Sequence, residues 1–158
     1  MVIRGLRKSD FAMLVELIKE VYLENPKSMW FKYEPSDGIL QYILEEKLRM
    51  IEEKRCIDSV ATEGNDIVGE CEVSAMGEGY AKIGIIIKKE YRNRGLGEEL
   101  VDYSIYKAGK IGIKSIGADV HIENKTALGF FKSIGFKKVQ NKNGEDAGKL
   151  VYLEKDIR

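Results

Sequence analysis

The stretch Arg92-Asn93-Arg94-Gly95-Leu96-Gly97 indicates the fold because of the segments on either side of it. Before it, residues 83–87 form an apolar, β-branched run that is typical of a buried central strand. A strand, a basic glycine-containing turn and a helix predict a phosphate-binding site, because the first N–H groups of a helix lack internal partners and its dipole favours negative charge. The apolar side of the predicted helix consists of Leu96, Leu100, Val101, Ile105 and Ala108.

Two common phosphate-binding motifs do not match this turn. The mononucleotide loop ends in Gly-Lys followed by Ser or Thr, which the turn lacks. The dinucleotide fingerprint requires a third Gly or Ala where this chain has Leu100, and Asp119, near the position of its ribose-binding acid, is weak support by itself. The Arg-x-x-Gly-x-Gly form instead resembles the coenzyme A loop of the GNAT superfamily of N-acetyltransferases.

A second stretch strengthens this resemblance. Asn124-Lys125-Thr126-Ala127-Leu128-Gly129-Phe130-Phe131-Lys132-Ser133-Ile134-Gly135-Phe136 resembles the Asn-x-x-Ala…aromatic…Gly-Phe segment of the family, a short helix that turns into a strand. Each residue alone could be only a helix cap or a core contact. Both motifs occur in the family's order, and the resemblance covers residues 80–139 closely; the first half matches only in element order.

The predicted elements form a mixed α/β fold. Strands are expected at residues 2–6, 55–61, 67–76, 80–88, 115–122, 137–139 and 150–153, with helices after Ser9 or Asp10, after Ser36 or Asp37, after Gly97 and after Asn124. Residues 141–148 are predicted to be a polar hairpin loop. The resemblance implies an α+β type three-layer sandwich with a splayed, mainly antiparallel central sheet. Gly84 would mark the bulge where the sheet diverges, or would only tolerate a close helix.

Composition restricts the class of protein. The 158 residues fit a single domain, 1–158, and 26 basic against 26 acidic residues give no reason to expect nucleic acid or a membrane as a partner. No signal-peptide core and no bilayer-length apolar run is present. Cys56 and Cys71 lack metal-ligand spacing, so no metal is expected, and two reduced thiols suit a cytoplasmic protein. Homodimer formation is left open.

The resemblance implies acetyl-CoA as co-substrate and assigns residues to it. The pyrophosphate would lie on the turn formed by Arg92, Asn93, Arg94, Gly95, Leu96 and Gly97. The pantetheine arm would pair with the main chain of Ile85, Ile86 and Ile87, where one N–H would polarise the thioester carbonyl. Asn124 would hydrogen-bond this arm, beside Ala127, Phe130 and Phe131.

Phe131 departs from the family pattern. The family often has Tyr at this position, whose hydroxyl protonates the departing thiolate, and Phe cannot donate a proton. Three explanations remain open. Water acts instead, another hydroxyl (Tyr152, Tyr103 or Tyr106) substitutes, or the chain is a non-catalytic acetyl-CoA sensor.

The general base also has several candidates. Glu70 and Glu72 alternate with Cys71, so both carboxylates lie on one face of a strand, which either lines the cleft or is a solvent-facing edge. Glu123, next to Asn124 at a strand end, is a further candidate, with charge pairing at a helix start as its structural alternative. His121 has a suitable imidazole, but strand alternation does not fix the side on which it lies.

The region between the first two helices is the expected acceptor site, since this loop selects substrates in the family. Trp30, Phe31, Tyr33 and Glu34 combine aromatic faces with a carboxylate, which suits a cationic amine such as a polyamine or an amino-sugar. The rings could instead pack on the core. Acetylation of a protein N-terminus or of a lysine is the alternative activity.

Overall fold

The computed structural model describes residues 1–140 and 148–158, so most of the predicted 141–148 loop lies outside the described residues. Its strands are β1 (Val2–Gly5), β2 (Cys56–Glu63), β3 (Asp66–Gly77), β4 (Tyr80–Ile87), β5 (Ser115–His121), β6 (Lys137–Val139) and β7 (Leu150–Asp156). Its α-helices are α1 (Phe11–Glu24), α2 (Asp37–Glu52), α3 (Leu96–Lys110) and α4 (Lys125–Ser133). These elements confirm the predicted order.

The described strands form one 7-stranded sheet in the order β1-β2-β3-β4-β5-β7-β6. The pairs are antiparallel except β4 with β5, which is parallel because α3 carries the chain back across the sheet between them. The mainly antiparallel sheet with helices confirms the predicted fold class. No helix among the described residues is long and apolar enough to span a membrane.

Two apolar clusters fix the helices on opposite faces of the sheet. On one face, α1 and α2 pack on the first half of the sheet through residues that include Leu14, Leu40 and Val60. On the other face, α3 and α4 pack through residues that include Leu100, Val73 and Phe131. The resulting arrangement is the expected three-layer sandwich.

The sheet divides between β4 and β5. These strands pair only from Tyr80 to Lys82 and from Ser115 to Gly117, although each strand continues well beyond that point. Gly84 lies after the divergence, in regular register with Glu72, and no atom lies within 4 Å of where its Cβ would be. Neither a bulge at Gly84 nor a close helix, the two predicted roles, is therefore observed.

The helix starts differ in how they are capped. α2 begins as predicted, since the Ser36 side chain accepts a hydrogen bond from the Ile39 N–H. Asp10 does not cap α1. It is buried instead, and its carboxylate accepts two 2.8 Å hydrogen bonds from Arg4 and one from the Arg7 N–H, so it ties β1 to the start of α1.

Candidate active site

A cavity of about 660 Å³ occupies the gap where β4 and β5 diverge. It reaches both layers of helices, since Ile85 belongs to the core on the α3 side and Ile86 to the core on the α1 side. The walls come from the end of α1 and the segment after it, the end of β4, the loop before α3, and α4. Lining residues used below are Glu24, Asn25, Ile85, Ile86, Ile87, Arg92, Asn93, Gly95, Gly97, Asn124, Ala127, Phe130 and Ile134.

The start of α3 faces this cavity without a side-chain cap. Gly95 is the N-cap residue with φ at 82°, and Asn93 has φ at 62°, a left-handed conformation that asparagine tolerates better than most residues. The Asn93 side chain does not cap the helix. The first N–H groups of α3 are thus available for an anion at the cavity wall.

Gly97 allows α3 and α4 to approach closely beside the cavity. A Cβ at Gly97 would lie 2.9 Å from Cε1 of Phe130, which is too short for an undisturbed contact. Glycine is therefore required here for packing. Of the remaining turn residues, Leu96 is buried in the core, and Arg94 lies over the ring of Tyr91 rather than along the cavity.

Arg92 is held in place from two sides. Its Nε donates to the carbonyl oxygen of Ile87 at 2.9 Å, and its guanidinium forms an ion pair with Glu24 at the end of α1. All three residues line the cavity. The guanidinium of Arg92 therefore lies beside the uncapped helix start, as a diphosphate-binding loop requires. In this structure it is already paired with the carboxylate of Glu24.

The second motif contributes the opposite wall. The side chain of Asn124 accepts a hydrogen bond from the Ala127 N–H at 3.2 Å and so caps α4. Phe130 lines the cavity, whereas Phe131 points into the core, where its ring makes edge contacts with Phe130 and Phe136. Phe131, which the sequence placed at the coenzyme, is only 4% exposed and is not part of the cavity wall.

Glu70 and Glu72 lie on the face of the sheet that α2 covers. Their strand β3 is internal, paired with β2 and β4, so the solvent-facing edge considered for these residues is wrong. Glu70 is buried, while the Glu72 side chain is 37% exposed. Glu72 lies opposite Gly84, which is exposed in the middle of β4, so the sheet surface next to Glu72 is open.

An ammonium group lies among three carboxylates beneath this opening. Nζ of Lys47, on α2, is 3.0 Å from Asp58, 2.9 Å from Glu70 and 2.8 Å from Glu72. Burial alone would lower the pKa of Lys47, but the carboxylates of Glu70, Asp58 and Glu72 outweigh it and raise this pKa well above its usual value. Lys47 therefore stays charged.

Asp58 is the member of the cluster that binds a proton most readily. Burial, followed by repulsion from Glu70, raises the pKa of Asp58 well above the usual value of an aspartate. Lys47 lies 3.0 Å from Oδ2 of Asp58, but neither oxygen of Asp58 has a hydrogen bond of normal geometry within the described residues. Burial would also raise the pKa of Glu70, but Lys47 and a hydrogen bond with Asp58 outweigh burial and lower it. A proton therefore favours Asp58 over Glu70.

A second polar group lies where β4 and β5 separate. Lys82 donates to Asp119 at 2.5 Å, and its ammonium lies 5.6 Å from the ring centroids of Tyr80 and Tyr152. Tyr152 is paired with Asp119 across β5 and β7, so it shares a face with this pair. Neither Tyr152 nor the other hydroxyl candidates line the cavity; lysines of α3 lie over the rings of Tyr103 and Tyr106.

Glu123 is engaged in an ion pair with Lys27, which joins the end of β5 to the segment after α1. Lys27, as the largest cause, lowers the pKa of Glu123. The structure thus shows Glu123 in an ion pair with a distant segment, which differs from the predicted alternative of charge pairing at a helix start. His121 is close by, and its Nδ1 accepts from the Glu123 N–H at 3.2 Å.

The four predicted acceptor-site residues lie outside the cavity wall. Trp30 and Tyr33 are exposed by 67% and 74%, and Glu34 is exposed as well. Phe31 instead packs edge-on against the buried ring of Tyr22, as the alternative interpretation had it. The structure therefore brings the two sequence motifs together around the cavity, but it does not place residues 30–34 there.

Sequence reasoning missed Lys47 and Asp58, and it missed the pairing of Glu24 with Arg92. A lysine on the otherwise apolar face of α2 and an aspartate inside a buried strand were detectable signals, because buried charges require partners. Glu24 gave no such signal, since it ends an amphipathic helix among other charged residues.

The fold is that of acetyltransferases of known structure. A ribosomal-protein-alanine N-acetyltransferase from Brucella melitensis is similar with a TM-score of 0.81 at 17% identity over 99% of both chains. PaiA N-acetyltransferase from Thermoplasma acidophilum, solved with coenzyme A, gives 0.76 at 19% identity over 98% of both chains. A phosphinothricin acetyltransferase from Sinorhizobium meliloti, solved with AcCoA, gives 0.78 at 16% identity over 98% of this chain and 87% of that one.

The family follows from the sequence itself. The model of the Acetyltransferase (GNAT) family matches residues 15–136. The chain therefore belongs to the GNAT family and is an N-acetyltransferase by class. No curated protein matches the chain by sequence.

Proposed function

We propose that the chain transfers the acetyl group of acetyl-CoA to a primary amine, with the coenzyme in the cavity between β4 and β5 and the amine entering over Gly84. One observation carries the proposal: the cavity with its uncapped helix start reaches Ile86 on β4, and Glu72 lies opposite Gly84, which precedes Ile86 by two residues, or about 7 Å along the strand. The proposed coenzyme site and the Glu72 carboxylate thus lie next to each other on the sheet.

The chain's residues fit acetyl-CoA. The N–H groups at the start of α3, with Arg92, suit a diphosphate, and the unpaired end of β4 offers main-chain groups to the amides of pantetheine. Asn124, Ala127 and Phe130 supply the facing wall. Bound there, the coenzyme supplies an activated acetyl thioester.

The chain's own residues supply the remaining chemistry. An N–H of Ile85, Ile86 or Ile87 would stabilise negative charge on the thioester oxygen. Glu72 attracts the cationic amine and accepts its proton, directly or through water, so that the nitrogen lone pair becomes nucleophilic. Glu70 is a poorer base because it is buried, and Glu123 because it is paired with Lys27 and is not among the residues that line the cavity.

The thiolate needs a proton source other than Phe131. No described hydroxyl among the candidates Tyr152, Tyr103 and Tyr106 lines the cavity, which favours water in this role. The low basicity of a coenzyme A thiolate makes the demand small.

The acceptor remains a small cationic amine in our proposal. Glu72 and Asp119 provide carboxylates near the opening at Gly84, whereas Trp30, Tyr33 and Glu34 could contact only a larger acceptor at the surface. Acetylation of a protein N-terminus or lysine is thus the alternative. A single domain over 1–158, a cytoplasmic location and a homodimer are further proposals; the free thiols of Cys56 and Cys71 agree with a reducing compartment.

The test is an acceptor panel with thiol detection, comprising polyamines, aminoglycosides and short peptides. Turnover of small cationic amines, reduced about 10²–10⁴-fold in Glu72→Gln, is the expected result. Activity confined to peptides would reverse the choice of acceptor. Tight coenzyme A binding without turnover on any member would instead favour the sensor interpretation.

A further inference from the structure

The charge cluster under the sheet opens to the exterior mainly through one member. The side chains of Lys47, Asp58 and Glu70 are 9%, 0% and 8% exposed, whereas that of Glu72 is 37% exposed. A proton or a cation from the cleft therefore meets Glu72 first. The other three groups act on it from behind.

Glu72 is held at both carboxylate oxygens. Oε2 is 2.8 Å from the Lys47 ammonium, and Oε1 accepts a 2.6 Å hydrogen bond from the Ser74 hydroxyl. Two different anchors fix the plane of the carboxylate beside Gly84. Each oxygen keeps a further lone pair, so the group can still accept a proton.

The geometry of the cluster favours a proton on one of its carboxylates. With all groups ionised, three carboxylates would surround one ammonium in a nearly closed space. A proton on Asp58 would leave Lys47 with two carboxylates, of which Glu70 is buried and Glu72 reaches the cleft. The excess negative charge would then lie at the exposed position.

We propose that Lys47 is a positioning residue for Glu72: its ammonium, 2.8 Å from Oε2, orients this carboxylate toward the amine and stabilises its negative charge, and Asp58 carries the proton of the cluster. The inference rests on the proposed acetyl transfer. In the proton step, an N–H bond of the acceptor ammonium breaks and an O–H bond to Glu72 forms. Glu72 then releases the proton to solvent through its exposed side, and Lys47 keeps its own proton throughout.

The neighbours of Glu72 leave Lys47 as its closest opposite charge. From β2 it faces Asp58 and the thiol of Cys56, whose pKa is raised to about 12, chiefly by burial, so that the thiol is neutral. From β3 come Glu70 and Ser74. From β4, Lys82 lies across from Ser74 and is already paired with Asp119.

The experiment compares Lys47→Met with the charge-retaining Lys47→Arg, and uses Asp58→Asn as the matched control. Two readouts are taken: the pH at which the ¹³C carboxyl signal of Glu72 changes, which needs no turnover, and the acid limb of kcat/KM for the acceptor. In Lys47→Met both should move to higher pH by about one unit or more. On the plateau above the acid limb, kcat/KM should also fall about ten-fold, because the carboxylate loses its fixed orientation. Binding of coenzyme A should be unchanged, and Lys47→Arg should restore most of both readouts.

Asp58→Asn tests the proton count. If Asp58 is neutral, its amide isostere should leave both readouts within a few tenths of a pH unit of wild type. A clear move to lower pH would mean that Asp58 is ionised, which would overturn the charge assignment. Unchanged readouts in Lys47→Met would overturn the role of Lys47. The role would also be overturned if Lys47→Met lowered activity as much in the Glu72→Gln background as it does in wild type.

Two further arrangements keep the test decisive. If Lys47→Met does not fold, the double variant Lys47→Met/Glu70→Gln takes its place. It removes one buried charge of each sign and still deprives Glu72 of the Lys47 ammonium. The pH at which the Glu72 signal changes should then rise by less than in Lys47→Met, and no rise at all would overturn the proposal. If wild type acetylates no amine but the Glu72 signal responds as stated, the acetyl transfer fails while the coupling of Lys47 to Glu72 stands.

Discussion

The carboxylate of Glu24, at the last residue of α1, is ion-paired with the guanidinium of Arg92, 68 residues later in the chain. Both side chains line the cavity. The positive charge of Arg92, which is expected to bind the diphosphate, is thus already balanced by a carboxylate at the end of α1. A ligand anion must compete with Glu24 for this guanidinium.

Glu24→Gln is therefore expected to tighten coenzyme A binding. The change frees Arg92 and removes a negative charge from the cavity wall, and an exposed pair of this kind is worth up to about 1 kcal/mol, which corresponds to about five-fold in Kd. Calorimetric titration measures the effect. Glu20→Gln, an exposed position of the same helix, should change nothing, and the gain should disappear when Arg92 is also replaced by Ala; weaker binding in Glu24→Gln would contradict the competition.

Gly97→Ala should weaken coenzyme A binding, and Gly97→Trp should abolish it. The added Cβ lies 2.9 Å from the Phe130 ring, which must shift into the cavity. Gly109→Ala is the matched control, since it lies on the same helix with open space around it and should stabilise the fold by about 0.5–1 kcal/mol. Binding by titration and thermal unfolding are measured together. Unchanged affinity in Gly97→Trp would remove the basis for the coenzyme site.

Gly84→Ala and Gly84→Val should raise the KM for the acceptor in that order. A Cβ there meets no other atom within 4 Å, so the fold should tolerate the change, and the added side chain occupies the open sheet surface next to Glu72. Coenzyme A affinity should stay at the wild-type value. Initial rates over acceptor concentration provide the measurement, and an unchanged KM in the Val variant would place acceptor entry elsewhere.

Phe131→Tyr should lower stability and add little turnover. The ring is buried between Phe130 and Phe136, so a new hydroxyl without a partner costs about 1–3 kcal/mol. Urea unfolding and kcat are measured on the same preparation, with Phe130→Tyr at the cavity wall as the comparison. A large gain in kcat for Phe131→Tyr would show that its hydroxyl reaches the thiolate and would favour the sensor interpretation of wild type.

Asp10→Asn should reduce stability by about 2 kcal/mol near neutral pH, because Arg4 and the Arg7 N–H lose a charged acceptor. Burial alone would raise the pKa of Asp10, but these hydrogen bonds outweigh it and lower the pKa. The stabilisation is therefore complete above the unfolded pKa of about 3.9 and is lost as pH falls through the lower folded value. Urea unfolding at pH 6, 4 and 3 should show the difference shrinking. Asp37→Asn, in an exposed pair with Lys19, should show almost none.

Local patterns were sufficient for much of the fold. The apolar run of β4, the hairpin between β2 and β3 and the Ser36 cap of α2 each depend on neighbours in sequence, and each was predicted within one or two residues. The cavity wall followed in the same way from the turn before α3 and from Asn124. These features are fixed by backbone geometry that short motifs encode.

Tertiary contacts explain what the sequence left open. Alternation showed that Glu70 and Glu72 share a face, but which way it looks depends on α2 and on the position of β3 inside the sheet. The ammonium of Lys47 reaches Glu70 across 23 residues of chain, and no local pattern records such a pair. For Phe131 the position matched the family motif, while the direction of the ring was decided by packing against Phe136.

The carboxylate cluster comes from residues 47 to 72 of the chain, whereas the loop before α3 and the α4 wall come from residues 92 to 134. In genetic terms the two proposed tasks are separable. Under the proposed roles, mutations in the earlier segment would retune proton transfer and the choice of acceptor during divergence, while the later segment would keep its inherited coenzyme. Selection on acceptor chemistry would thus leave the second segment recognisable across paralogues long after the first has drifted.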